Sequence, residues 1–222
     1  MSNPDQFAPT DLTRVRRVPK RASYDRPTIH EILDRAWFCH VGFIEEGRPF
    51  VIPMVHGRDG DQLLFHGSPK SRALQQLSSG AEISVAATLF DGLVIARSMF
   101  HHSMNYRSVV GFGTGQAVTS DDEKLAALRL FSDRVVPDRW PTARPPSAKE
   151  LAATAVASVT LHAASAKRRS GPPIDDAKDY QGPYWAGVVH YRETPTALDP
   201  DPKLAADIAV PDCVSTLLDG AR

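Results

Sequence analysis

A chain of 222 residues is long enough to bury a sizeable core and reads as one domain with appendages. Lysine plus arginine and aspartate plus glutamate both total 26, so net charge makes no case for a nucleic-acid or membrane partner. No window approaches the roughly 18 apolar residues of a membrane span, and the basic N-terminal run has no apolar segment, so a soluble cytoplasmic protein is expected.

Residues 1–25 are polar and carry Arg14, Arg16, Arg17, Lys20 and Arg21, as a solvated arm or one lying across a partner subunit. Thr28-Ile29-His30-Glu31 fits a capping box, with Ile29, Ile32, Leu33 and Ala36 on one helical face. Three strands follow closely: Trp37–Glu45, Pro49–His56 and Gln62–His66, the last two joined by the hairpin signal Arg58-Asp59-Gly60-Asp61. Such a meander indicates an antiparallel sheet. Cys39 lies in the first strand as a buried free thiol; with Cys213 it fits neither a disulfide framework nor a metal spacing.

The strand ending in Leu63-Leu64-Phe65 breaks at His66-Gly67, and Ser68-Pro69 reads as the cap and first residue of a helix ending at Gly80. Lys70, Ser71 and Arg72 then fall in its first turn. Cations there oppose the helix dipole, so the turn is either a capped surface helix that tolerates a small cost or one that holds an anion. Glu82–Phe90 and Gly92–Met99 read as two strands around an Asp91-Gly92 turn, and Tyr106–Thr119 as a long strand. Gly111, Gly113 and Gly115 leave one face of that strand bare, which suits bulging or close approach of another group.

Ser120-Asp121-Asp122-Glu123 is a second capping box, opening a helix with Leu125, Leu128, Phe131 and Val135 on one face. A proline-rich loop covers Pro137–Lys149, followed by a short helix at Glu150–Ala157, a strand at Val159–Ala166, a polar loop at Lys167–Pro183 and a last strand at Tyr184–Thr194. A weak helical pattern around Leu204–Ile208 lies in the tail, residues 196–222. About seven or eight short strands with helices inserted irregularly argue for a mainly antiparallel β barrel or sandwich with peripheral helices.

Arg107 and Ser108, just after a loop, are a plausible second half of the anion site at Gly67–Arg72. His56, His66, His101, His102 and His190 form a second set, but with none of the metal-binding spacings. No nucleophile motif or dinucleotide fingerprint is present, so any chemistry belongs to a bound cofactor.

The element order with WFCHVGFIEEGRPFVIPMVH, LLFHGSPKSRAL and ARSMFHHSMNYRSVVGFG resembles the pyridoxamine 5′-phosphate oxidase-related flavoproteins, closest to the branch containing the nitroimidazole reductases. The resemblance implies an FMN-binding split β-barrel over residues 26–195, working as a homodimer with FMN at the subunit interface. By position it implies that Pro53, Met54 and Val55 line the flavin, followed by His66, Gly67 and Ser68. Lys70, Ser71 and Arg72 would hold the phosphate with help from Arg107 and Ser108. Trp185, with Tyr184 near it, would approach the ring from the partner, and His66 would lie beside the redox site as the catalytic candidate.

The implied activity takes hydride from NADH or NADPH and passes electrons to a small acceptor such as a nitroaromatic. Members of this superfamily also bind haem or a deazaflavin. A haem-binding or haem-handling protein using His66, His101 or His102, and a non-catalytic flavin-binding module, are the alternatives. His190-Tyr191-Arg192 is only a loose echo of the arginine–histidine pattern that grips pyridoxal phosphate, which speaks against pyridoxamine phosphate oxidation.

Overall fold

In the computed structural model, which describes residues 4–220, the apolar alternation resolves into nine strands. They are β1 (Ala22–Ser23), β2 (Phe38–Glu45), β3 (Arg48–Val55), β4 (Gly57–Asp59), β5 (Gln62–Gly67), β6 (Glu82–Ile95), β7 (Ser103–Val118), β8 (Ala155–Arg169) and β9 (Gly187–His190). The α-helices are α1 (Arg26–Arg35), α2 (Arg72–Leu77), α3 (Asp121–Val135), α4 (Ala148–Ala152) and α5 (Asp212–Ser215). All strand pairings are antiparallel, in the open order β3-β2-β6-β7-β8-β5-β4, with β1 on β8 and β9 on β6.

One side of this sheet is the core. Cys39, Val41 and Phe43 of β2, Ile83 and Val85 of β6 and Val109 of β7 pack against Ile29, Ile32 and Leu33 of α1 and Ala73, Leu74 and Leu77 of α2. A smaller cluster of Leu64, Val156, Ala127 and Phe131 seats α3 elsewhere on β5 and β8. Because side chains alternate, the same strands project the remaining residues outward. Register places Phe38, Ile44, Val51, Phe90 and Val110 together on that outward side, all exposed, Val51 at 67%.

Several boundaries differ from the sequence reading. Asp25 caps α1, accepting from the Thr28 backbone N–H (2.9 Å) and hydroxyl (2.8 Å), because Pro27 fits the first turn and moves the start ahead of the Thr28–Glu31 box. Ser120 caps α3 without a side-chain bond; the capping box that forms is Ser147 with Glu150 at α4. Ser68 does not open α2: its hydroxyl accepts from Lys70 N–H (3.2 Å) and its carbonyl from Ser71 N–H (2.9 Å), closing a turn, so Ser71 is the cap.

Asp91-Gly92 is not a hairpin but a bulge inside the single long β6, where β9 approaches so closely that a Cβ on Gly92 would lie 2.5 Å from the Val189 carbonyl oxygen. β8 starts at Ala155 and runs to Arg169, past both ends of its expected strand, because β7 and β5 pair along its length. β9 is shorter than expected, leaving Tyr184 and Trp185 outside it, and residues 204–208 form turns with no helix. The N-terminal arm docks on its own chain: Phe7 is buried, its N–H donates to Tyr24 O (2.9 Å), and Val15 N–H donates to the Tyr24 hydroxyl (3.1 Å).

His56, fully buried after β3, donates from Nε2 to the Leu33 carbonyl (2.9 Å), while Arg134 of α3 donates to the Leu33 (3.1 Å) and Asp34 (2.6 Å) carbonyls. Together they cap the end of α1. Burial, reinforced by the Arg134 cation, lowers the His56 pKa from 6.5 to about 4. Between those values the unfolded chain binds a proton that the folded chain refuses, so this residue's contribution makes stability fall as pH drops through that window. The loss is about 2 kcal/mol by pH 5. Urea midpoints should therefore fall more steeply from pH 7 to pH 5 in wild type than in His56→Gln; equal slopes would remove His56 as the cause.

Candidate functional site

The segment from β5 into α2 forms a corner of the sheet beside the end of β3. Gly67 is the last paired residue of β5, facing Ala155, and the Ser68–Ser71 turn leads into α2. Lys70 is exposed and has no carboxylate partner among the described residues, and the Ser71 hydroxyl makes no capping bond. Arg72 lies over the Phe50 ring (4.5 Å) and pairs with Glu45 (3.0 Å), so part of its charge is already offset. Gly67, Ser68, Lys70, Ser71 and Arg72 are thus brought together. On β3, Pro53 is exposed, Met54 packs on the core, and Val55 meets His66 across a cleft.

Arg107 and Ser108 are elsewhere. Arg107 pairs with Arg168, thirteen residues along β8 from the Ala155 partner of Gly67, roughly 40 Å of strand. Its guanidinium binds Asp91 through Nη2 (2.7 Å) and Nε (3.1 Å), and Glu31 through Nη1 (2.8 Å). The hydrogen bond to Asp91 is the main reason its pKa is raised. The Ser108 hydroxyl donates to Lys167 O (3.2 Å). Within one chain, then, Arg107 serves an ion-pair bridge between α1 and the β6 bulge and does not join the Lys70–Arg72 corner.

Tyr184 and Trp185 lie exposed, Trp185 at 68%, on the segment before β9, with the Trp185 ring folded back over Gly187. That segment is pinned by the buried carboxylate of Asp175, which accepts from Arg97 N–H (2.9 Å) and Nη1 (3.1 Å). Arg169 secures its start through the carbonyls of Gly171 (3.3 Å) and Pro172 (3.0 Å). His101 lies near Asp176 (3.5 Å), and His102 bonds the Ser98 carbonyl (3.0 Å).

The sequence reading had no counterpart for the cleft itself, an open cavity of about 560 Å³ between His66, α3 and the segment before α4. Its walls are apolar: Val55, Leu128, Phe131, Val135 and Trp140. The His66 ring meets Phe131 edge-on at 4.5 Å, and its partial desolvation lowers its pKa from 6.5. At the rim Arg144 pairs with Glu150 through two hydrogen bonds of 2.7 and 3.0 Å. The apolar stripe of α3 was legible in the sequence; Trp140 and Arg144 of the proline-rich loop and Glu150 at the start of the expected short helix were not, since neither local signal announces what the segment faces.

A family model described as pyridoxamine 5′-phosphate oxidase matches residues 25–168. The chain belongs to the pyridoxamine 5′-phosphate oxidase-like family. Its open antiparallel sheet is that family's split β-barrel. The chain is similar to the flavocytochrome Anf3 from Azotobacter vinelandii, with 40% identity, TM-score 0.88, and 95% of this chain and 98% of that one covered. It is similar to the FAD and heme binding protein from Mycobacterium smegmatis, with 35% identity, TM-score 0.85, and 89% and 97% covered. A Bacteroides thetaiotaomicron protein named for 5-nitroimidazole antibiotic resistance, at 23% identity, TM-score 0.56, and 66% and 85% covered, shares the fold. No curated protein matches the chain by sequence. Among the described residues no helix is long and apolar enough to cross a membrane.

The corner between β5 and α2 depends on a bare glycine face. A Cβ on Gly115 would sit 2.4 Å from the carbonyl oxygen of Leu77, the last residue of α2. Gly115→Ala should therefore push α2 off β7 and lower stability by about 1–3 kcal/mol, read as a urea midpoint shift. An unchanged midpoint would mean that α2 is not seated there.

Proposed function

We propose that this chain is a redox protein binding both a flavin and a haem, with His66 as the haem ligand, and that it works as a homodimer. The observation that carries the reading is a lone imidazole set into the wall of a large apolar cleft. The cleft fits a flat apolar macrocycle: Leu128, Phe131, Val135 and Trp140 offer carbon surface, and His66 offers the nitrogen an iron needs. The lowered His66 pKa keeps the ring neutral near pH 7, the form that ligates metals. The similarity to a flavocytochrome and to an FAD and heme binding protein, at 40% and 35% identity, points the same way.

The flavin's place in this reading is the neighbouring corner, with Pro53, Met54 and Val55 on one side and His66, Gly67 and Ser68 on the other. Lys70 and the Ser71 hydroxyl are suited to an anionic phosphate, and Arg72 joins them by exchanging part of its contact with Glu45. The name of the Mycobacterium smegmatis relative favours FAD over FMN as the nucleotide. Bound there, a flavin would supply hydride chemistry toward NADH or NADPH, and a haem held by His66 would supply one-electron chemistry toward a small acceptor. The chain's own residues bind and orient these groups, the apolar walls of the cleft offering them carbon surface.

The dimer rests on the outward sheet face. Phe38, Ile44, Val51, Phe90 and Val110 form an apolar patch that a monomer would leave in water. Ser108 lies on this same side in the register, whereas Arg107 points to the other. Tyr184 and Trp185, exposed on the β9 segment, are available to a second subunit.

Absorption spectra of the full chain test the redox reading. Hemin added to wild type should give a Soret band that His66→Ala loses, and FAD or FMN added to wild type should bind with a shifted visible spectrum. A wild type with no Soret band, or a His66→Ala spectrum identical to it, would sink the haem assignment. Sedimentation tests the dimer. Wild type should run at twice the mass of a Val51→Asp, Val110→Asp double variant, and equal masses would refute that interface.

A further inference from the structure

The rim of the α3 cleft holds one arginine, Arg144, among the residues that line it. The residue is held in place by an unusually complete set of contacts. Ser147 N–H (2.7 Å) and hydroxyl (2.8 Å) both donate to Glu150 Oε2. The Glu150 carboxylate in turn accepts from Arg144 Nη2 (2.7 Å) and Nη1 (3.0 Å), while Nη1 also reaches the Pro145 carbonyl (2.8 Å). The Arg144 and Ser147 contacts lower the Glu150 pKa to about 2, so the pair stays ionised at any working pH. The α4 cap is already complete with Ser147 and Glu150, so Arg144 is not needed to start that helix.

The guanidinium carries five N–H donors, and these three bonds leave two unassigned. The Arg144 side chain is 69% exposed, so an anion at the rim can reach it. A group filling the apolar cleft against His66 would emerge at this rim.

We infer that Arg144, positioned by Glu150, is a binding residue that anchors the carboxylate arms of the iron porphyrin in the α3 cleft. This rests on the haem reading of the cleft. Because Arg144 and Glu150 together are neutral, the anchor works through directed hydrogen bonds and not through long-range attraction. Its effect is accordingly modest, about tenfold in affinity for one charged hydrogen-bonding contact, and only weakly dependent on salt.

The test compares hemin with hemin dimethyl ester, whose arms carry no charge, titrated into the full chain purified without haem. Wild type should bind hemin more tightly than the ester. Arg144→Gln should bind hemin about tenfold more weakly while leaving the ester unchanged, so the preference collapses. Arg144→Lys, which keeps the charge but not the planar fork, should fall between them. Hemin affinity in Arg144→Gln equal to wild type, or an equal loss for hemin and ester, would overturn the anchor. A wild type that gives no Soret band with either ligand overturns the haem reading itself, and the anchor with it. Loss of both ligands in His66→Ala alongside selective loss of hemin in Arg144→Gln supports both.

Discussion

Two long antiparallel seams, β6 on β7 and β7 on β8, constrain everything else in this chain. They satisfy the backbone polar groups of three long strands, which no other element could cover so completely. Their central strand carries Gly111, Gly113 and Gly115 on its inward side, and three neighbours use the missing side chains. Leu161 packs over Gly111, the Thr160 carbonyl approaches Gly113, and the Leu77 carbonyl approaches Gly115. The first two accompany the register shift between Phe112 and Gly113, which bends the seam. The third brings the end of α2 down onto the sheet and so fixes the corner that precedes it.

Alternation along those strands then divides the molecule. The inward half is a packed core with α1 and α2, and its burial is the ordinary driving force of the fold. The outward half of β2, β3, β6 and β7 also carries apolar side chains that stay exposed among the described residues, although Phe90 meets the Tyr191 ring at 4.9 Å. Strands apolar on both sides are expected where both sides are covered. The unpaired face therefore supports assembly on physical grounds alone. In the N-terminal arm, Phe7 is spent in the core of its own chain and β1 pairs with β8.

The parts legible in the sequence were those set by local pattern. The β2–β3 hairpin, the strand into His66-Gly67 and the apolar stripe of α3 all follow from spacing and turn residues close in the chain. What escaped depended on partners far away. Asp91-Gly92 carries the same local signal for a hairpin and for a bulge, and only the approach of Val189 and His190 decides for the bulge. Arg107 read as an anion ligand because its partners, Asp91 and Glu31, lie 16 and 76 residues away. The charge of an arginine is visible in sequence; whether it is already satisfied is not. Likewise Arg144 lies in the proline-rich stretch and Glu150 at the start of the expected short helix, and their place on the cleft rim appears only when α3 is folded against β5.

His66 sits where these two levels meet. As the penultimate residue of β5 it borders the Gly67–Arg72 corner along the chain, while its ring turns toward Phe131 and the α3 cleft. Val55, at the end of β3, shares that position from the other strand. One imidazole thus faces an apolar cleft suited to a macrocycle and adjoins a polar turn suited to a phosphate-bearing flavin. Partial desolvation favours its neutral form, so an iron would not have to displace a proton from it at neutral pH. A charged imidazole in the same wall would repel the metal, and a fully buried one, like His56, would be unreachable. His66 combines a pKa lowered by desolvation with a place in the cleft wall, and that combination is why the redox reading is centred on it.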